Sequence, residues 1–192
     1  PEIAVCICDH QFYLEKEGVY KYYEFEKLTI KPLEQILFKW HFGVAFPPHA
    51  VLYKRELWTF NELPFQEDYK YRCEDWVFNV LVALKDVNYY MLDKVLCNYH
   101  MTDANFTNNT KSLTTAAIKA ALYLKSKLPK QYQEDFIDTT IDNNINMYQV
   151  PPGSIIRQPS QTIKEFTEED YMNNARFVAS NWNKVIYNFT PE

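Results

Sequence analysis

Two adjacent acidic residues, Glu74 and Asp75, stand where a helix is predicted to begin. The residues that follow place apolar side chains at the spacing of one helical face, and the free amides of a first helical turn favour an ionised carboxylate. A carboxylate held there can face a cleft and take a proton from a substrate hydroxyl. The simpler interpretation is that both acids only complement the positive end of the helix dipole. The residues alone leave both interpretations open.

Histidines are the next candidates for chemistry. His41 and His49 flank a proline-containing loop, but eight residues separate them and the sequence shows no third ligand nearby. We therefore predict no metal site there. His100 follows a strand-like segment, where a histidine is typically exposed or hydrogen-bonded.

The glycines and cysteines argue against two further kinds of binding site, a phosphate-binding loop and a zinc site. Only three glycines occur, so a glycine-rich loop that cradles phosphate is not expected. The cysteines do not show the paired spacing of a zinc site, and Cys6 and Cys8 should face opposite ways on one strand. We interpret all four as reduced residues in or near the core: Cys6, Cys8, Cys73 and Cys97.

The overall composition is that of a folded domain. Of the 192 residues, 47% are hydrophobic and 17% are aromatic, which is enough to form a sizeable core and excludes a disordered chain. The formal net charge of -5 argues against nucleic acid as a partner, because binding to phosphate needs clustered cations. The sequence shows neither an apolar run of membrane-spanning length nor a signal peptide, so we expect a cytoplasmic protein without a transmembrane segment.

The first half of the chain combines strand-like and helix-like segments, which predicts an α/β fold. Gly18 can adopt the positive φ of a hairpin turn between strands at 3–12 and 19–23. Pro32 stands where the first turn of a helix tolerates it. The later predicted elements are a strand at 50–53, a helix from Glu74, and strands at 88–92 and 95–99 on either side of Asp93-Lys94.

The second half is predicted to be helical. Apolar residues recur with helical periodicity across 113–128, 132–148 and 171–189, and prolines break the chain within 151–159. We therefore divide the sequence into a mixed α/β region at 1–110 and a helical C-terminal region at 111–192.

Several short motifs follow one another in a recognisable order. A proline-containing loop leads into a strand that ends in basic residues, and then come Phe-Gln-Glu, Glu-Asp-Trp and a strand ending in Tyr-His: residues 47–56, 65–67, 74–76 and 96–100. This order resembles the downstream, acceptor-side half of family 2 glycosyltransferases, which have the GT-A fold. The resemblance covers roughly residues 1–110, and it lies in the order of the motifs more than in any one of them.

The resemblance implies inverting transfer of a sugar from a nucleotide-sugar donor to a glycan or another hydroxyl acceptor, as in bacterial polysaccharide biosynthesis. Asp75 would be the general base. Glu74, Trp76 and His49 would contact the acceptor, with the Trp76 ring as a stacking platform. His100 would contact the diphosphate of the donor.

The sequence departs from the family pattern in several places. The sequence lacks an Asp-x-Asp motif and an upstream nucleotide-binding half, so the Mg²⁺ or Mn²⁺ that the family implies would have its ligands outside this chain. We therefore expect a fragment that is inactive by itself. His100 occupies the position of an arginine in the family motif, Thr102 that of a histidine, and Gln66 that of an aspartate.

Two other functions are open at this point. A domain of this shape that had lost its donor half would be a non-catalytic binding or scaffolding module. Glycoside hydrolysis by Glu67 and Asp75 would need both carboxylates to face one bond, which their spacing does not establish.

Overall fold

The computed structural model of the chain describes residues 2–58, 73–103, 110–136 and 139–140. These residues form one mixed sheet with helices packed against it, which confirms an α/β architecture. The strands are β1 (Ile3–Leu14), β2 (Val19–Lys21), β3 (Val51–Tyr53) and β4 (Asn88–Met101). The helices are α1 (Leu33–Lys39), α2 (Glu74–Ala83), α3 (Thr110–Lys125) and α4, at 130–136.

Strand β1 is the centre of the sheet. It pairs in parallel with β4 along nearly its whole length, whereas β3 and β2 pair antiparallel with its first and second halves. Ile3, Val5 and Ile7 of β1 are buried, as β-branched residues of a strand covered by helices should be. The parallel pair requires a long crossover, and that crossover contains β2, β3, α1 and α2.

The predicted hairpin between β1 and β2 is confirmed. Gly18 has φ +64°, and its amide donates to the Leu14 carbonyl over 2.9 Å. A residue without a Cβ adopts this left-handed conformation at little cost. The turn then brings Leu14 opposite Val19.

The prediction of two strands flanking Asp93-Lys94 is wrong, because β4 is one strand of 14 residues. Its register against β1 shifts instead: Leu92 lies opposite Cys8, whereas Val95 lies opposite Asp9. The two extra residues form a bulge with exposed side chains, and a bulge absorbs such residues without ending the strand. The Asp93 carboxylate accepts a hydrogen bond from Lys27 Nζ over 2.9 Å within this bulge.

The helices share one hydrophobic core with the sheet. The helix predicted at 113–128 is observed as α3, and small buried residues let it pack closely on α2: Ala116, Ala117, Ala120 and Ala121. Phe136 of α4 is also fully buried in this core, which therefore continues across residue 110. The segments predicted at 141–148, 151–159 and 171–189 lie outside the described residues.

Within the described part of the chain, the helices are too short or too polar to cross a bilayer.

Candidate functional site

The acidic pair lies in the first turn of α2, as the sequence predicts. Asp75 is partly buried, and its Oδ1 accepts a hydrogen bond from the backbone amide of Trp76 over 2.7 Å. Burial raises the pKa of the Asp75 carboxyl to about 6, and the charge of Glu74 adds to this increase, while the Trp76 amide opposes it. Loss of solvation therefore outweighs the helix amides that were expected to keep this group ionised.

A pKa near 6 suits a general base at neutral pH. The Asp75 carboxylate is still mostly ionised at pH 7, yet it binds a proton roughly 100-fold more tightly than an ordinary aspartate. General-base catalysis is most efficient when the pKa of the base approaches the working pH. The affinity of Asp75 for a proton is therefore suited to a general base.

Buried polar residues hold the first turn of α2 in place. Asn79 lies one turn after Asp75, and its Nδ2 donates to the Asp75 carbonyl over 2.9 Å. Its Oδ1 accepts from the Tyr53 hydroxyl over 3.0 Å, and its carbonyl accepts from the Tyr89 hydroxyl over 3.3 Å. Asn79 thus connects α2 to β3 and β4. The sequence signal for this role is one polar residue within the apolar run 76–84.

The Tyr53 hydroxyl and the Cys73 thiol near Asp75 remain neutral. Burial raises the pKa of the Tyr53 hydroxyl and of the Cys73 thiol, and the negative charge of Asp75 contributes to both increases. The neutral phenol of Tyr53 donates a hydrogen bond, and the Cys73 thiol is not a nucleophile at neutral pH. Neither Tyr53 nor Cys73 therefore competes with Asp75 as a proton acceptor at neutral pH.

The raised pKa of Asp75 predicts that Asp75→Asn stabilises the fold at pH 7.5. The folded pKa lies above the ordinary value of 3.8, so the stability due to Asp75 is fully present below about pH 4 and is lost as the pH rises through about 6. Asparagine mimics the protonated form. We expect a gain of about 1–2 kcal/mol at pH 7.5 and almost none at pH 4.

Urea unfolding of the wild type, Asp75→Asn and Glu74→Gln at both pH values tests this prediction. Glu74→Gln is the matched control, because it removes one charge from the same helical turn but leaves the Asp75 carboxylate in place. The quantity to compare is the free energy of unfolding of Asp75→Asn minus that of the wild type. If this difference is no larger at pH 7.5 than at pH 4, the assigned burial of the carboxyl group is contradicted.

The Trp76 ring lies in the hydrophobic core and does not form an exposed stacking surface. Its side chain is 0% exposed, and its Nε1 donates to the Ile36 carbonyl over 2.9 Å. Its ring also lies 5.8 Å from that of Phe136. A fully buried ring offers no face to an acceptor, so the structure replaces the stacking role implied by the resemblance with one in packing α2 against α1 and α4.

His49 and His100 form a second group beside β4. His49 lies in the turn before β3, and its ring stacks on Tyr99 with 5.8 Å between centroids. Partial burial and the charge of His100 lower the pKa of His49, although a hydrogen bond at the Asn98 backbone opposes the decrease. The exposed His100 lies 5.1 Å from the Tyr13 ring. His49 is therefore a neutral imidazole at neutral pH, and part of its side chain remains accessible to solvent.

The structure thus sorts the predicted site residues into two groups. Asp75 lies near Tyr53, the last residue of β3, with Glu74 beside it in the first turn of α2. His49 lies two residues before the first residue of that strand. Glu67 and Gln66 belong to a segment outside the described residues.

Sequence reasoning missed three consecutive buried polar residues of β1, namely Asp9, His10 and Gln11. Asp9 accepts a hydrogen bond from the Tyr22 hydroxyl, and burial raises its pKa. Burial and the nearby His49 lower the pKa of His10 to about 4, so its ring is neutral. Asp9 and His10 line a cavity of about 10 Å³, which has room for one water molecule.

A metal ion is not assigned to the described residues, where clusters of three or more potential His, Cys, Asp or Glu ligands are not found. The Mg²⁺ or Mn²⁺ requirement implied by the family resemblance stays a prediction.

No family model matches the sequence, and no curated protein or solved structure matches it significantly.

Proposed function

We propose that this chain provides the acceptor side and the catalytic base of an inverting glycosyltransferase. The observation that carries the proposal is the Asp75 carboxylate, which lies in the first turn of α2 with its pKa raised to about 6. The order of motifs that resembles family 2 enzymes supports the same function, because the family places its base at the second acid of this dipeptide.

The chemistry follows from the weak acidity of a sugar hydroxyl. Such a group does not ionise beforehand at neutral pH, so its proton must be removed as its oxygen attacks the anomeric carbon of the donor. Asp75 takes that proton while the bond from the anomeric carbon to the nucleotide diphosphate breaks. The diphosphate leaves with the bonding electron pair, and attack from the opposite face inverts the anomeric configuration.

The other residues of the chain position the reacting groups in this proposal. Asn79 and Tyr53 hold the first turn of α2, and Glu74 increases the proton affinity of Asp75. The neutral imidazole of His49 can exchange hydrogen bonds with acceptor hydroxyls, and the exposed His100 is the candidate contact for a donor phosphate. Trp76 supports α2 from the core.

In this proposal a donor half complements these 192 residues. It would have the nucleotide-binding strands of the GT-A fold, and its Mg²⁺ or Mn²⁺ would neutralise the charge of the diphosphate when bound. A cytoplasmic location is part of the proposal. Transfer therefore has to be measured on a protein in which this chain is joined to a donor half.

The pH dependence of transfer is the direct test of the base. We expect kcat to fall about tenfold per pH unit below pH 6 and to level off above it, because only ionised Asp75 can accept the proton. Glu74→Gln should move the midpoint of this profile to lower pH, since the charge of Glu74 raises the pKa of Asp75. Assays of nucleotide release from UDP- and GDP-sugars between pH 5 and 8 give both profiles.

A flat profile between pH 5 and 8 would contradict the assignment of Asp75. If the chain joined to a donor half has no transfer activity but binds glycans, the chain is a non-catalytic binding module. Glycan array binding of the same preparation separates that outcome from an inactive preparation.

A further inference from the structure

We propose that Cys8 and Cys97 form a reversible thiol-disulfide site that cross-links β1 to β4. Neither residue has a part in the proposed transfer of a sugar, and the inference does not depend on that function. Its basis is the placement of two free thiols by the parallel strand pair and by the bulge in β4.

The bulge brings the two residues together. Leu92 lies opposite Cys8, and after the register shifts Cys97 lies opposite His10, two positions beyond Cys8 along β1. The Cys97 thiol lies 3.9 Å from the carbonyl oxygen of Asp9, the residue next to Cys8. The thiols of Cys97 and Cys8 are also in hydrogen-bond contact. Residues 8 and 10 of β1 face the same side of the sheet, so Cys97, which is opposite His10, lies on the same face as Cys8 and diagonally across from it. Neighbouring cysteines on adjacent strands are candidates for a disulfide.

The same contact makes Cys8 the more reactive thiol. A hydrogen bond from Cys97 stabilises the Cys8 thiolate and lowers its pKa, and the same bond raises the pKa of Cys97. Both residues are partly exposed. Cys6 and Cys73 are buried, and burial raises the pKa of Cys6 to about 12. A thiolate that solvent can reach is the nucleophile in disulfide exchange, which selects Cys8 over the buried cysteines.

The oxidant is a low-molecular-weight disulfide such as glutathione disulfide. The Cys8 thiolate attacks one sulfur of glutathione disulfide, the S–S bond breaks, and one glutathione leaves as a thiolate. Cys97 then loses its proton to solvent and attacks the Cys8 sulfur of the mixed disulfide, and the second glutathione leaves. Two protein thiols are oxidised, and one glutathione disulfide is reduced to two molecules of glutathione.

Incubation of the folded chain with glutathione disulfide tests the site. We expect the number of thiols that iodoacetamide alkylates after denaturation to fall from four to two. Mass spectrometry of a non-reduced tryptic digest should then show peptide 1–16 joined to peptide 95–111. Dithiothreitol should restore all four thiols.

Single variants identify the partner of Cys97, because Cys6 and Cys8 fall in the same tryptic peptide. Cys8→Ser should abolish the linked peptide, whereas the matched control Cys6→Ala should keep it. Circular dichroism of both variants before oxidation shows that they are folded. Four remaining thiols, a stable glutathione adduct without a cross-link, or a linked peptide that persists in Cys8→Ser would each overturn the proposal.

Discussion

Asp75→Asn is expected to lower kcat for sugar transfer by about 10²- to 10⁴-fold in the protein that carries the donor half. Asparagine keeps the shape of the side chain, and its Oδ1 can still accept the Trp76 amide that is 2.7 Å from the wild-type carboxylate. What it removes is the group that takes the proton from the acceptor hydroxyl. The loss should appear in kcat, with the affinity for the donor almost unchanged.

Steady-state kinetics with varied donor and acceptor concentrations, and calorimetric titration of the donor, measure these quantities separately. Glu74→Gln is the matched control and should have the milder effect, because neighbouring residues of a helix point about 100° apart and cannot face one cleft in the same way. Near wild-type turnover by Asp75→Asn would show that the base lies elsewhere, even if the protein is a glycosyltransferase.

Trp76→Ala is expected to lower the free energy of unfolding by about 3–5 kcal/mol. The side chain is fully buried, so its removal leaves a cavity where α1, α2 and α4 meet. It also removes the hydrogen bond from the indole N–H to the Ile36 carbonyl, which adds the loss of one buried hydrogen bond. Chemical denaturation followed by circular dichroism measures the change.

Two further variants separate the causes of this loss. Trp76→Phe keeps most of the apolar volume but removes the indole N–H, so it should cost about 1–3 kcal/mol. Trp58→Ala removes a tryptophan that is 40% exposed and should cost less than Trp76→Ala. A Trp76→Ala variant as stable as the wild type would show that this ring is not in the core.

Features fixed by neighbouring residues could be predicted from the sequence. Gly18 marks the hairpin turn, and the acids at 74–75 mark the start of α2, because turns and helix ends depend on local conformational preference. The bulge in β4 could not be predicted in this way. Its register is set by β1, which lies more than 70 residues earlier in the sequence.

The same distinction between local and long-range effects applies to the candidate site. The sequence places Asp75 correctly at the start of a helix, but its raised pKa comes from burial in a folded environment that includes Tyr53. Trp76 follows Asp75 directly, and only the packing of α1 and α4 determines that this ring faces the core. The contact between Cys8 and Cys97 likewise depends on a pairing of distant strands that the spacing of cysteines does not show.

The parallel pairing of β1 with β4 also determines when the sheet can be completed during synthesis. A ribosome that adds about 5–20 residues per second needs on the order of 4–15 s to make the 73 residues between Leu14 and Asn88. Throughout that interval β1 has only β2 and, later, β3 as strand partners, and its pairing with β4 is missing. The nascent chain therefore presents an unpaired strand edge, which is the kind of surface that chaperones bind and that associates with other unfolded chains.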